Sequence, residues 1–159
     1  MSLKVYITLA GQAEWALPNS LWASIRDHGY IPDRVYICSS KKNIEGASKN
    51  KERISALLEG YDRRATVSIV EIPENNFVEI GNTIADIVKR EKKARNEVAL
   101  DITSARKAIA SPALIVADKY KADHIFYLYI EDVTNANRPY MMIPMKIQHS
   151  NDFLSGGKV

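Results

Sequence analysis

The chain has 159 residues, 46% hydrophobic and 26% charged, the composition of one soluble domain large enough to bury a core. Its 22 basic and 19 acidic residues leave a net charge of +3, too small an excess to coat long nucleic acid but enough for a local basic pocket on a small polyanion. One cysteine, Cys38, excludes an internal disulfide and a thiolate zinc cluster; with no signal pattern and no membrane-spanning apolar run, a cytoplasmic location is expected.

Leu3–Leu9 reads as the first strand, rich in β-branched and aromatic residues. Ala10, Gly11, Gln12 and Ala13 break it, and Gly11 permits close approach of a ligand. A helix follows, with Pro18 near its first turn, Leu17, Leu21, Trp22 and Ile25 at helical spacing, and Gly29 as its stop. Asp33–Cys38 is the second strand, with Cys38 a small core residue, and it runs into the polar, basic Ser39, Ser40, Lys41 and Lys42. The next helix is expected from Lys49 to Leu58, after Gly46 and Ser48 and before Gly60. Ala65–Ile72 alternates as a third strand, ended by Pro73.

Asn76 is placed to cap a longer helix that runs to Lys93, whose basic end suits the helix dipole. Glu97–Ile102 is the fourth strand and Arg106–Tyr120 the fourth helix. That helix is apolar almost all round, which predicts burial in the core or at a subunit contact, and Pro112 within it predicts a kink. His124–Ile130 is the fifth strand, Asp132–Pro139 a polar loop, and Tyr140–Ile147 the sixth strand, with Pro144 marking an edge. The tail from Ser155 to Val159 is expected to be disordered, leaving residues 1–154 as a single domain.

Strands alternating with helices predict an α/β fold: a mostly parallel sheet, helices on both faces, and a C-terminal antiparallel edge. Ligands of such sheets bind outside the carboxyl ends of the strands. Three polar loops converge there, after strands one, two and four. The last is the most informative. Thr103 and Ser104 stand where the helix should begin and would cap its first turn, and Arg106 and Lys107 add two cations within one turn. A strand end, a hydroxyl turn and a basic helix start together suit a phosphate. Neither G-x-G-x-x-G nor G-x-x-x-x-G-K-[ST] is present, which argues against dinucleotide or nucleoside-triphosphate use. His28, His124 and His149 are scattered, so no metal site is expected.

The stretch Asp101-Ile102-Thr103-Ser104-Ala105-Arg106-Lys107 resembles the D-[IVL]-T-G-G-[RT]-K signature of CARF domains, the Rossmann-like sensor domains of type III CRISPR systems. Thr8–Ala13, followed by a helix and Pro32–Ile37, resembles that family's first strand–loop–helix–strand unit, and Tyr127–Ile130 with Arg138–Tyr140 is similar to its C-terminal strands. The resemblance implies a homodimer that binds a cyclic oligoadenylate, usually cyclic tetra-adenylate, across its two-fold axis. It implies ligand contacts from Thr8, Ala10, Gly11, Ala13, Trp15, Ser39, Asp101, Thr103, Ser104, Ala105 and Arg106. In this reading Trp15 is available to stack on an adenine.

CARF proteins with an added HEPN ribonuclease or helix-turn-helix need chain beyond the sixth strand. With little left there, the resemblance points to a stand-alone ring nuclease that cuts the cyclic messenger. The implied reaction needs no metal or cofactor. A ribose 2′-hydroxyl attacks the adjacent phosphorus in line and leaves a 2′,3′-cyclic phosphate, with Lys107 and Gln12 at the reacting group. The alternative is a non-cleaving CARF sensor or sponge. Two departures from the family pattern bear on this choice: Ser104-Ala105 replaces the usual Gly-Gly, and Gln12-Ala13 stands where some ring nucleases carry a serine.

Overall fold

The computed structural model describes residues 1–154, and the 155–159 tail lies outside the described residues. Its elements are β1 (Lys4–Leu9), α1 (Ala16–His28), β2 (Arg34–Ser39), α2 (Ile44–Gly60), β3 (Thr66–Glu71), α3 (Phe77–Lys93), β4 (Glu97–Asp101), α4 (Lys107–Lys119), β5 (His124–Ile130), the short α5 (Val133–Ala136) and β6 (Gln148–Asp152). The strands form one sheet in the order β3-β2-β1-β4-β5-β6, parallel except for the antiparallel β5–β6 pair. The expected α/β architecture is therefore present, antiparallel edge included.

Strand alternation divides the core in two. Val5, Ile7 and Leu9 of β1, with Val98 and Leu100 of β4, point to one face and pack under α3 and α4. Tyr6, Ala99, Val35 and Ile37 point to the other face and pack under α1 and α2. Gly29 ends α1 in the left-handed region at φ 64°, and the Asn76 side chain caps α3 by accepting from the Glu79 N–H at 3.0 Å. Cys38 is fully buried, and burial pushes its thiol up to about 12. No helix among the described residues is long and apolar enough to cross a membrane.

Three expectations need correction. Helix α2 begins at Ile44, five residues before Lys49, so Gly46 lies inside it. Ala47, Asn50, Ile54 and Leu58 recur at helical spacing and are buried, and that burial overrides the cost of a glycine in an exposed turn, about 1 kcal/mol. The sixth strand is Gln148–Asp152, not Tyr140–Ile147. Pro139 and Pro144 each open a 3₁₀ turn, Tyr140–Met142 and Met145–Ile147, and the ladder forms only after them. Thirdly, Thr103 and Ser104 do not cap α4. Arg106 is its N-cap residue, with no side-chain cap bond.

The strand order places β1 between β2 and β4. The chain leaves β1 toward β2 on one side and returns through β4 on the other. The loops after β1 and β4 therefore part at the centre of the sheet and open a crevice at its C-terminal rim.

Candidate functional site

Thr8 and Asp101 end adjacent strands and are partners in the parallel register. Both side chains belong to the α1 face and both are fully buried. Asp101 is the hub of a polar cluster. Its Oδ2 accepts from Thr8 Oγ1 and Ser20 Oγ, each at 2.8 Å, and its Oδ1 accepts from Thr103 Oγ1 at 2.6 Å and the Thr103 N–H at 3.2 Å. Burial lifts its carboxyl above the usual carboxylate range, while the hydrogen bonds from Thr103, Thr8 and Ser20 pull the other way. The Thr103 hydroxyl also accepts from the Leu128 N–H at 3.0 Å. One carboxylate thus fastens β1, α1, the turn after β4 and, through Thr103, β5.

The two crevice loops also touch directly. A Cβ on Gly11 would lie 2.2 Å from the Ser104 carbonyl oxygen and 2.8 Å from Ser104 Oγ. Gly11 is required for loop-on-loop packing, whatever else approaches it. Ser104 Oγ is buried at this junction and has no hydrogen-bond partner among the described residues. It is an unmet polar group at the point where the two loops meet.

Above the cluster the rim is polar and reachable. Gln12 is exposed and shares a cavity of about 440 Å³ with Gly11, Lys42, Asn43, Glu45 and Lys49. Ala13 lines a second cavity of about 480 Å³, with Asn19, Thr103, Ser104, Asn137 and the end of β5. Lys107 is exposed at the first position of α4, where its charge adds to the positive end of the helix. Arg106 turns aside: its guanidinium donates to the Glu74 carbonyl at 3.2 Å and lies 3.5 Å from the Glu74 carboxylate. Lys42 approaches the same carboxylate at 3.8 Å.

The remaining residues named from sequence are spread around this rim. Ala10 is buried and donates its N–H to the Cys38 carbonyl at 2.8 Å. Ser39 is fully buried, with its hydroxyl donating to the Ser40 carbonyl at 2.9 Å. Ala105 packs against the core beneath α3 and α4. Trp15 lines an apolar cavity of about 630 Å³ with Trp22, Tyr61 and Tyr140, and this cavity shares Asn19 with the one that Ala13 lines. The Arg53 guanidinium covers its ring, 3.9 Å from the centroid. Thr8, Asp101, Ser39 and the Ser104 hydroxyl thus stand below the surface, while Gln12, Ala13 and Lys107 stand at it.

Sequence reasoning passed over Ser20, Asn19 and Asn137. A signal for Ser20 exists: in α1 it shares the apolar face with Leu17, Leu21 and Ser24, and a polar residue facing a core needs a partner. Asn137 carried no such signal, because the loop holding it has no periodicity.

No family model matches the chain, and no curated protein matches it. Among solved structures it is similar to Enterococcus italicus Csm6 bound to cyclic hexa-2′-fluoro-hexa-dAMP, with TM-score 0.66 and 14% identity over 98% of this chain and 42% of that one. It is similar to protein VC1899 from Vibrio cholerae, with TM-score 0.61 and 18% identity over 78% of this chain and 30% of that one. It is also similar to Can2 from Sulfobacillus thermosulfidooxidans in complex with cyclic tetra-adenylate, with TM-score 0.58 and 15% identity over 83% of this chain and 33% of that one. These three structures are much longer, and the chain spans 30 to 42% of their length. The fold is the Rossmann-like α/β fold of these solved structures, as the resemblance of the Asp101–Lys107 stretch implies.

Proposed function

We propose that this chain binds a cyclic oligoadenylate, cyclic tetra-adenylate first among them, on the rim built by the loops after β1 and β4. The observation that carries the reading is the junction of those loops. At the switch in strand order, Gly11 packs on Ser104, a Ser104 hydroxyl unpartnered among the described residues is left there, and Lys107 stands exposed three residues on, at the start of α4. A polar loop junction and an exposed cation at a helix N-terminus suit a phosphodiester. Solved proteins of this fold in complex with such rings add support.

The activity we assign is metal-independent cleavage of that ring. In-line attack by a ribose 2′-hydroxyl needs its alignment held and the charge on phosphorus neutralised. We assign that work to Lys107 and Gln12, both exposed on the loops of this rim. The proposal includes a second copy of the chain. A strip on α3 and α4 leaves Phe77 45%, Val78 70% and Ile115 60% exposed, and an apolar patch of this kind suits a subunit contact. One observation favours the alternative, binding without cleavage: the Thr8 and Thr103 hydroxyls already donate to Asp101, which leaves neither proton free to stabilise charge on a reacting phosphate.

The test is incubation of the protein with labelled cyclic tetra-adenylate in EDTA. Linear products ending in a 2′,3′-cyclic phosphate support cleavage. Tight binding of an unchanged ring supports the sensor. Failure to bind any ring size removes both.

A further inference from the structure

The 480 Å³ cavity beside Ser104 carries information that the rest of the rim lacks. Two asparagines border it, Asn19 of α1 and Asn137 of the loop after β5. An asparagine amide can usually be turned either way round, because its O and N are alike in shape. Here the chain fixes both. Asn19 Nδ2 donates to the Arg138 carbonyl at 2.7 Å, and a carbonyl can only accept. Asn137 Oδ1 accepts from the Trp15 N–H at 3.2 Å, and an N–H can only donate. The loop that presents Asn137 is itself pinned by Asp132, which accepts from the Thr134 N–H at 2.9 Å and from Asn135 Nδ2 at 2.7 Å. Among the described residues nothing engages Asn19 Oδ1 or the Asn137 amide hydrogens. Two residues that line the cavity thus keep an open group, an acceptor on Asn19 of α1 and a donor on Asn137 of the loop; Asn19 also lines the 630 Å³ cavity.

That pair is a code for one kind of base edge. Adenine presents an exocyclic amine that donates beside a ring nitrogen that accepts, whereas guanine and hypoxanthine place a carbonyl oxygen at the amine's position. We propose that Asn19 and Asn137 are specificity-determining residues, and that they select a 6-aminopurine in this cavity: Asn19 Oδ1 accepts from the amine and Asn137 Nδ2 donates to the ring nitrogen. The inference rests on the proposal that the rim binds a cyclic oligonucleotide, and it assigns the part of the site that reads the base. Ser104 Oγ, unpartnered among the described residues at the cavity wall, is then left for the sugar-phosphate part of the same nucleotide. A purely structural role for the two amides, tying the loop to α1, accounts for only one polar group of each.

The experiment compares cyclic tetra-adenylate with cyclic tetra-inosinate by calorimetry on the parent chain, Asn137→Ala and Asn137→Asp. The parent should prefer the adenylate ring by at least about fivefold, the lower end of what a two-point base contact discriminates. Asn137→Ala should lower that preference to about threefold or less. Asn137→Asp, which replaces the open donor by an acceptor, should move the preference toward the inosinate ring. Asn137 is exposed, so both variants should keep the parent's melting temperature. Equal binding of the two rings by the parent overturns the inference and leaves the proposed function standing, whereas binding of neither overturns the function. Undiminished preference in Asn137→Ala, with the ring still bound, overturns the assignment of Asn137. Asn19 is 2% exposed, and an Asn19→Ser variant that folds should show the same loss of preference.

Discussion

At the N-terminal rim of the sheet, Glu91 is 1% exposed and takes both carboxylate contacts from Arg34, at 2.7 and 2.9 Å, together with the hydroxyl of Tyr36 and the amide of Asn96. His124 on the same rim sits between the Glu97 and Asp152 carboxylates, at 2.6 and 2.7 Å. At the C-terminal rim the charges are arranged otherwise. Arg106 and Lys42 share Glu74 at long range, Gln12 and Lys49 border an open cavity, and no described residue forms an ion pair with Lys107. A charge that the fold has cancelled holds strands and helices together. A charge that it has left open is available to a ligand. Asp101 belongs to neither group: it stands at the ligand rim but is buried and hydrogen-bonded as fully as Glu91.

The largest effect should come from Asp101. Replacement by alanine leaves the Thr8, Ser20 and Thr103 hydroxyls buried around a hole, and at 1–3 kcal/mol for an unsatisfied buried group we expect a loss of about 4 kcal/mol in urea unfolding. Ring binding should disappear with it, because the Thr103–Ser104 turn loses its anchor. Retention of parent affinity in a folded Asp101→Ala protein would show that the cluster does not shape the rim. Glu91→Ala tests the opposite rim. It strands a guanidinium that keeps some contact with water, so the cost should be about 3 kcal/mol, the low end for a broken buried pair. The affinity for cyclic tetra-adenylate should stay within about twofold of the parent. Lys107→Ala should do the reverse. Its stability should change by less than about 0.5 kcal/mol, while affinity or cleavage falls by about tenfold or more, the worth of one charge-assisted contact to a phosphate. Equal binding by this variant and the parent would remove Lys107 from the site.

The contrast between the rims also explains what could be read from the amino acids. The rim itself was legible, because Gly11, the Ser39–Lys42 run and the Thr103–Lys107 run interrupt strands whose period is plain. The direction of each hydroxyl was less so. Thr8 and Asp101 look like ligand contacts until the alternation of β1 and β4 is followed: the odd positions Val5, Ile7 and Leu9 take one face, which leaves Thr8 with Tyr6 under α1. Ser20 closes the cluster from a position that reads as an ordinary turn of an amphipathic helix. The edge strand was misplaced for a physical reason too. Tyr140–Ile147 is apolar and invites a strand, but its two prolines remove the donors a ladder needs. Gln148–Asp152 is polar because an edge strand faces water on its open side. The base-reading asparagines depend on which backbone atoms meet after folding, Arg138 with Asn19 and Trp15 with Asn137, and no local pattern encodes that.

The smallest expected effect concerns pH. Burial disfavours the His124 cation, but its hydrogen bonds to Asp152 and Glu97 outweigh that and hold its pKa above the ordinary histidine value. A group with a raised folded pKa binds its proton more tightly in the native state than in the unfolded chain. The stability it adds is complete below the unfolded value of about 6.5 and is lost as pH rises through the folded value. The melting temperature should therefore decline across the interval that begins near pH 6.5 and ends above the folded pKa. In His124→Asn that decline should flatten, since asparagine does not titrate. The ring affinity of the variant should match the parent, because His124 opens β5 at the rim away from Lys107. A parent whose melting temperature holds steady or rises over that interval would mean that His124 is neutral in the fold. A variant that loses ring binding while remaining folded would mean that the two rims are coupled, and the division between paired and open charges would then fail at its simplest point.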